Sequence, residues 1–348
     1  MLPGSGPAPH GTVSAALVNR IIRGAVNLGA SRPALISVLG FNEARLRNPV
    51  NRMAWQLAER LFTALEKQFD DPAIILRLGD VAISHSFSDF GYAAQFAPNL
   101  AAIIEANCQI QAIRQNAVSV DFDLSPAAPT LRWTPVDPDY IADRFVEFSI
   151  ATYMRLGVQI LGQPLRLHEV HFKHAQRFDL SQYQSVFGCP VRFNMPQSTA
   201  WLDGGQLAMA SPHANAVTLN AVHAHYQLGS KLLESGQTNA GNGFFYLSSE
   251  LDKSPPTLAM MAASFGVSER TLRRRLHDEG YPFRALLNIV RHSLWSLYRM
   301  ENRRSLGEIA HLLGFGELSA FSRAHRRWFG ITPSDTLGKL ENGGRSKV

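Results

Sequence analysis

A chain of 348 residues, 45% hydrophobic and 18% charged, is long enough for two domains and has the make-up of a globular protein rather than a disordered or fibrous one. Its two cysteines, Cys108 and Cys189, show neither metal-ligand nor redox spacing, which excludes a disulfide scaffold and fits a reducing compartment. The formal net charge of +6 is uneven: residues 241–348 hold 16 Lys+Arg against 10 Asp+Glu, and the remainder hold 18 of each. That asymmetry suggests that the C-terminal third meets a polyanion, although a merely solubilising basic surface accounts for the charge as well.

The first ten residues, MLPGSGPAPH, lack a charged stretch leading into an apolar one, and no apolar run is long enough to span a bilayer. A cytoplasmic protein without a membrane partner is expected. Residues 12–120 are mostly helical by pattern. Trp55, Leu57, Leu61, Leu65 and Phe69 recur at helical spacing through 53–69, and another helix follows Pro98 within 88–115. The period then changes to two, and 118–124 with 130–135 read as a hairpin. From Asp139 to Leu161 an amphipathic helix carries Ile141, Phe145, Phe148, Tyr153 and Leu156. Strands are expected at 166–174, in VRFN and in TAWLD, with helices at LSQYQSVFG and at 215–233. The expected fold is an α+β N-terminal domain, helices plus a small antiparallel sheet, followed by an all-α C-terminal domain. The polar, glycine-rich stretch ESGQTNAGNG at 234–243 reads as a hinge. The expected division is therefore a first domain over 1–235, a linker over 236–246, and a second domain over 247–340.

Catalytic chemistry finds little support in the N-terminal part. On one strand His168 and His174 share a face while His171 points away, so the three do not converge on a metal. His223 and His225, two apart on a helix, do not share a face either. Gly204-Gly205 lacks the remaining residues of a phosphate loop, and no serine sits in a nucleophile elbow. Asp121 and Asp123 alternate along one strand face, the pattern of a solvated sheet, and Cys189 before a proline reads as a packed small residue. The expectation is no metal, no cofactor and no enzymatic activity. The alternative is an N-terminal catalytic domain tethered to nucleic acid by a basic tail. Phe145, Phe148, Trp133 and Trp201 suit a core, and they would also line a pocket between sheet and long helix.

The C-terminal third is more specific. In SERTLRRRLHDEG, 268–280, Ser268 is placed to cap a helix, Glu269 lies in its first turn and Gly280 ends it. Leu272 and Leu276 mark the buried stripe, with Arg270, Arg273, Arg274 and His277 opposite and Arg275 beside the leucines. Thr257 caps a short apolar helix before it, Ala262 allows a close crossing and Gly266 a sharp turn. Helix, glycine turn and second helix form a helix-turn-helix, whose second helix enters the major groove. The arrangement recurs in 305–330, where Ser305 caps, Ile309 and Leu312 face inward, Ala310 is small and Gly314 turns. Ala262 to Ala310 and Gly266 to Gly314 are both 48 residues. The second recognition helix runs from about Leu318 to Phe329, with Phe321, Ala324 and Trp328 inward and Leu318, Ser319, Ser322, Arg323 and Arg326 outward. A helix from about Arg284 to Met300 joins the units. The candidate DNA-contacting residues are thus Arg270, Thr271, Arg273, Arg274 and His277, with Leu318, Ser319, Ser322, Arg323 and Arg326.

These residues resemble the AraC/XylS-type transcription regulators. The likeness runs through Ser268-Glu269-Arg270-Thr271-Leu272 with Arg274, Glu308-Ile309-Ala310, Gly314-Phe315, Ser319 to Ala324, Arg327-Trp328, Gly330 and Thr332-Pro333. It implies base contacts from Arg270, Arg273 and Arg274 in the first unit, and from Leu318, Ser319, Ser322 and Arg323 in the second. His325 departs from the family, which has an aromatic or apolar residue there, and SDTLGK lacks the family's arginine after Pro333. Phe187 to Phe193 and Gly91-Tyr92 resemble the arabinose-binding-type domain of one subgroup, over roughly 30–220. The resemblance implies a regulator of transcription acting on double-stranded DNA, with a small-molecule effector, RNA polymerase and a homodimer as candidate partners.

Overall fold

The computed structural model describes residues 11–41, 43–49, 51–81, 93–109, 114–125, 127–137, 142–235, 238–300 and 304–337. Gly91, Tyr92, Asp139 and Ile141, used in the sequence reading, lie outside them, as does the end of the 247–340 segment. Two compact units divide at Ala216 and Val217.

In the N-terminal unit β1 (Thr12–Ser14) pairs antiparallel with β2 (Arg52–Ala54). Ser14 also caps α1 (Ala15–Asn27), its hydroxyl accepting from the Leu17 N–H at 3.3 Å. α2 (Arg32–Leu39) starts with a proline in its first turn and ends at Gly40. α3 (Gln56–Phe69) buries Leu57, Leu61 and Leu65 as the spacing predicts, with Phe69 only partly covered. α4 (Ile74–Val81) and α5 (Leu100–Gln109) follow. The hairpin is β3 (Val118–Asp123) with β4 (Thr130–Pro135). α6 (Asp143–Leu161) is the long core helix. Then come β5 (Leu167–His171), α7 (Leu180–Phe187), β6 (Val191–Arg192) and β7 (Ser198–Leu202).

The sheet order is β3-β4-β7-β5-β6. It is antiparallel except at one edge, where β5 and β6 run parallel with Val170 opposite Val191. β5 is shorter than its sequence pattern and shifts register between Leu167 and Glu169. His168 is exposed. His171 packs its ring 4.3 Å from that of Trp201 and meets Glu169 at 2.9 Å. His174 lies beyond the strand, 3.6 Å from the Glu147 carboxylate, so the expected common face of His168 and His174 does not form. No converging group of His, Cys, Asp and Glu side chains occurs among the described residues.

The C-terminal unit begins with α8 (Ala216–Glu234) and α9 (Thr238–Glu250). α9 overturns the linker reading of 236–246 over its described part: from Thr238 onward the segment is a helix of the C-terminal unit, buried from Ala240, and the boundary falls about twenty residues earlier. Its glycines serve close approach rather than chain freedom. A Cβ on Gly241 would lie 2.9 Å from the Leu233 backbone nitrogen, and one on Gly243 would lie 2.3 Å from Cε of Met261. Phe244, Phe245, Tyr246 and Leu247 complete its buried surface.

His225 of α8 is wholly buried, with its ring nitrogens 2.9 Å from the Ser293 hydroxyl and 3.0 Å from that of Ser248. Burial pushes its pKa down to about 3. A histidine with a folded pKa below its unfolded value of about 6.5 contributes fully above that value and loses stability as pH falls toward 3. Lowering the pH from 7 to 5 is expected to cost about 2 kcal/mol through this side chain. His225→Gln should flatten that part of the urea-unfolding profile; an unchanged slope would refute the assignment.

Candidate nucleic-acid interface

Each helix-turn-helix unit is built by local chemistry. In the first, Thr257 caps α10 (Leu258–Ser264) by accepting from the Met260 N–H at 3.2 Å. Gly266, at φ +67°, reverses the chain. The Gly266 N–H then reaches the Ala263 carbonyl, and the Val267 N–H reaches Ala262, each at 3.1 Å. Ser268 opens α11 (Glu269–Asp278), accepting from the Thr271 N–H at 3.2 Å.

The second unit repeats the arrangement. Ser305 and Glu308 form a reciprocal capping box on α13 (Leu306–Leu312). Gly314 has the same φ of +67°, and the Gly314 and Phe315 N–H groups reach the His311 and Ala310 carbonyls at 2.8 and 3.0 Å. α14 (Leu318–Phe329) follows and ends at Gly330. Between the units, α12 (Phe283–Tyr298) buries Leu286, Val290, Leu294 and Leu297. Trp295 carries its packing onto α14, with ring centroids 5.3 Å from Phe321 and 4.9 Å from His325.

The two recognition helices present the expected charges outward. On α11, Leu272 and Leu276 are buried, while Arg270, Arg273, Arg274 and His277 are exposed and Arg275 is half-buried. Arg273 forms an ion pair with Glu269 one turn earlier. Thr271 is half-buried, and its hydroxyl lies 2.8 Å from that of Ser268, so it completes the cap. On α14, Leu318, Ser319, Arg323 and Arg326 are exposed and Ser322 is half-buried. The Ser319 hydroxyl bonds Glu317 at 3.0 Å.

Three details differ from the sequence reading. Leu313, the C-cap residue just past α13, is wholly buried, whereas Leu312 is half-buried. Trp328 is only half-buried, and His325 takes the inner position beside Phe321 and Ala324. His325 is held there as a buried ring: its Nδ1 lies 2.8 Å from the Ile331 carbonyl, its ring packs on Trp295, and burial holds its pKa below the ordinary histidine value.

Sequence reasoning missed Arg291. From α12 its Nε and Nη2 donate to the Leu313 and Gly314 carbonyls at 2.8 and 2.9 Å, and its guanidinium lies 4.0 Å from the Phe315 ring centre. The Leu313 carbonyl is at the C-cap of α13, where helix geometry leaves acceptors without intrahelical partners, and the Gly314 carbonyl belongs to the turn that follows. The sequence clue is an arginine beside the Val290–Leu294 stripe of the strut helix.

Comparisons with known proteins agree with this geometry. The arabinose-binding domain of AraC transcription regulators, N-terminal, matches residues 29–211, and a helix-turn-helix domain matches residues 261–339. The ornithine utilization regulator of Pseudomonas aeruginosa is 26% identical over 317 residues, covering 88% of this chain and 91% of that protein. The HTH-type transcriptional regulator VirS of Mycobacterium tuberculosis is 29% identical over 204 residues, 54% of each chain. The transcriptional activator AggR of Escherichia coli is 38% identical over 81 residues, 23% of this chain and 31% of that protein. These relatives are regulators, which leaves the catalytic alternative without support. With an arabinose-binding-type domain over half of its length and a doubled helix-turn-helix behind it, the chain belongs to the AraC family of transcription regulators and is a DNA-binding regulator rather than an enzyme.

Proposed function

We propose that the chain reads a specific duplex site through α11 and α14 together, and that a small-molecule effector in the N-terminal unit controls this binding. The repetition of cap, glycine turn and outward arginines in both units carries the reading. Arg270, Arg273, Arg274 and His277 approach the DNA from α11, with Thr271 fixing the helix start. Leu318, Ser319, Ser322, Arg323 and Arg326 approach it from α14. Arginine forks suit guanine O6 and N7, and Leu318 suits a thymine methyl group. In the free protein Glu269 holds Arg273 along the helix, and a phosphate or guanine displaces it.

The relatives' names include an activator and a regulator of amino-acid utilisation. A cytoplasmic, metabolite-responsive activator that recruits RNA polymerase as a homodimer is the corresponding role here. Effector binding would favour the arrangement in which both recognition helices engage.

The test is selection of sites from a random duplex library with the full chain. On the selected site, Arg274→Ala and Arg323→Ala should each weaken binding by about 1–3 kcal/mol while leaving scrambled DNA almost unaffected. Equal losses on both duplexes would mean that these arginines contact phosphates and do not read bases.

A further inference from the structure

Four helices make up the two helix-turn-helix units, and three of them open on a hydroxyl cap, from Thr257, Ser268 and Ser305. The fourth does not. α14 opens at Glu317, whose backbone is extended, at φ −144° and ψ 147°, and whose side chain makes no capping bond. Glutamate is not among the residues that cap well, so capping does not account for an acid here. The helix dipole favours a negative charge at a helix start, which would suffice if that start faced only water. The start of a recognition helix meets base edges between two rows of phosphates, where an uncompensated carboxylate is repelled.

The other recognition helix also begins with an acid, but a neutralised one: Glu269 of α11 pairs with Arg273 one turn on. Glu317 has Ala320 and Phe321 at the corresponding spacings and enters no ion pair among the described residues. It is exposed, as are Leu318 and Ser319 beside it. The Ser319 hydroxyl donates to Glu317 Oε2 at 3.0 Å, which fixes the direction of the carboxylate and leaves Oε1 open. A carboxylate only accepts. In the major groove the donors are the exocyclic amines, N4 of cytosine and N6 of adenine, whereas guanine and thymine offer acceptors. Adenine sets its N7 acceptor beside the amine, where it opposes the second carboxylate oxygen; cytosine has the amine alone.

We propose that Glu317 determines specificity at one base pair of the α14 half-site: Oε1 accepts from N4 of a cytosine, and Ser319 is the positioning residue that aims it. Bases without an amine at that point are rejected by repulsion between acceptors. This rests on the reading that α14 enters the major groove, and it adds an acid to a contact surface of arginine, serine and leucine.

The test uses the full chain and the duplex selected from the random library. Each base pair of the site is replaced in turn by the other three, and binding to every duplex is titrated. Arg323→Ala locates the α14 half-site. Within it, one position is expected where cytosine binds about tenfold better than any other base. Glu317→Gln keeps the side-chain length and adds a donor, so it should move the preference there to adenine, whose N6 and N7 it matches. Glu317→Ala should erase the preference at that position and leave the other positions unchanged. It should also tighten binding to scrambled DNA, because a negative charge leaves the interface. Ser319→Ala should shrink the cytosine preference without moving it to another base. Retained base preferences in the α11 half-site show that each variant is folded. An acid that only supports the helix start would, on removal, weaken all duplexes alike and keep the ranking of bases; that result overturns the proposal. A cytosine preference that survives in Glu317→Ala, or one absent from the wild-type chain, overturns it too. If Arg323→Ala alters no position of the selected duplex, the reading of α14 fails instead.

Discussion

Arg177→Ala should destabilise the N-terminal unit by about 3 kcal/mol, as expected when one member of a buried ion pair is left alone. Glu147 of α6 has a fully buried side chain, and Arg177 bonds both it and Glu66 of α3. Tyr183 donates its hydroxyl to Glu147 at 2.6 Å, and Arg144 donates through Nε to both Glu66 oxygens at 3.0 Å. Burial pushes the Glu147 carboxyl up to about 7, while Arg177 and Tyr183 act to lower it. Without Arg177 the carboxyl is neutral at pH 7, and protonation relieves part of the loss.

The pH dependence has a definite sign. A carboxyl with a folded pKa above its unfolded value favours the native state as pH falls, and removing Arg177 raises that folded value further. The cost of Arg177→Ala should therefore be larger at pH 8 than at pH 6. Adding Glu147→Gln should recover more than half of the loss at pH 8. Urea unfolding of the full chain measures all three. A loss below about 1 kcal/mol, the range of exposed pairs, would show that this network does not hold α3, α6 and the 174–179 segment together.

Arg291→Ala should cost the C-terminal unit about 3 kcal/mol, from two charge-assisted hydrogen bonds and a cation–π contact. Burial lowers the Arg291 pKa to about 10, which leaves it charged at neutral pH. Its two acceptors sit at the turn before α14, so the damage should be local. Binding through α14 should suffer more than binding through α11, and Arg291→Lys should recover less than half because an ammonium cannot span both carbonyls. Gly314 shows how tight this turn is: a Cβ there would lie 2.7 Å from Cδ2 of Leu251, whereas one on Gly266 would meet open space. Urea unfolding and titration with the selected duplex measure the two effects. Equal weakening of both DNA half-contacts would show that Arg291 supports the whole unit and not one turn.

What the sequence disclosed was local. Ser268, Ser305, Gly266 and Gly314 act on neighbours within a few residues, and their caps and turns form where the spacing put them. The β3–β4 hairpin was legible for the same reason. The misses depend on distant partners. Glycines and asparagines around 239–243 have a linker's composition, yet Asn239 donates to Glu279 at 2.6 Å and the glycines admit Leu233 and Met261. The parallel edge between β5 and the two-residue β6 leaves too short a pattern to read. Glu147, a carboxylate within the apolar run FVEFSIA, was a visible signal whose partners are 30 and 36 residues away.

Guanine N7-methylation interference on the selected duplex tests the central claim most directly, because N7 faces the major groove. Two clusters of interference about ten base pairs apart are expected, one for each recognition helix. Arg274→Ala should erase the first cluster and Arg323→Ala the second, each leaving the other in place. A single cluster, or two that fade together in either variant, would contradict a reader with two separate recognition helices.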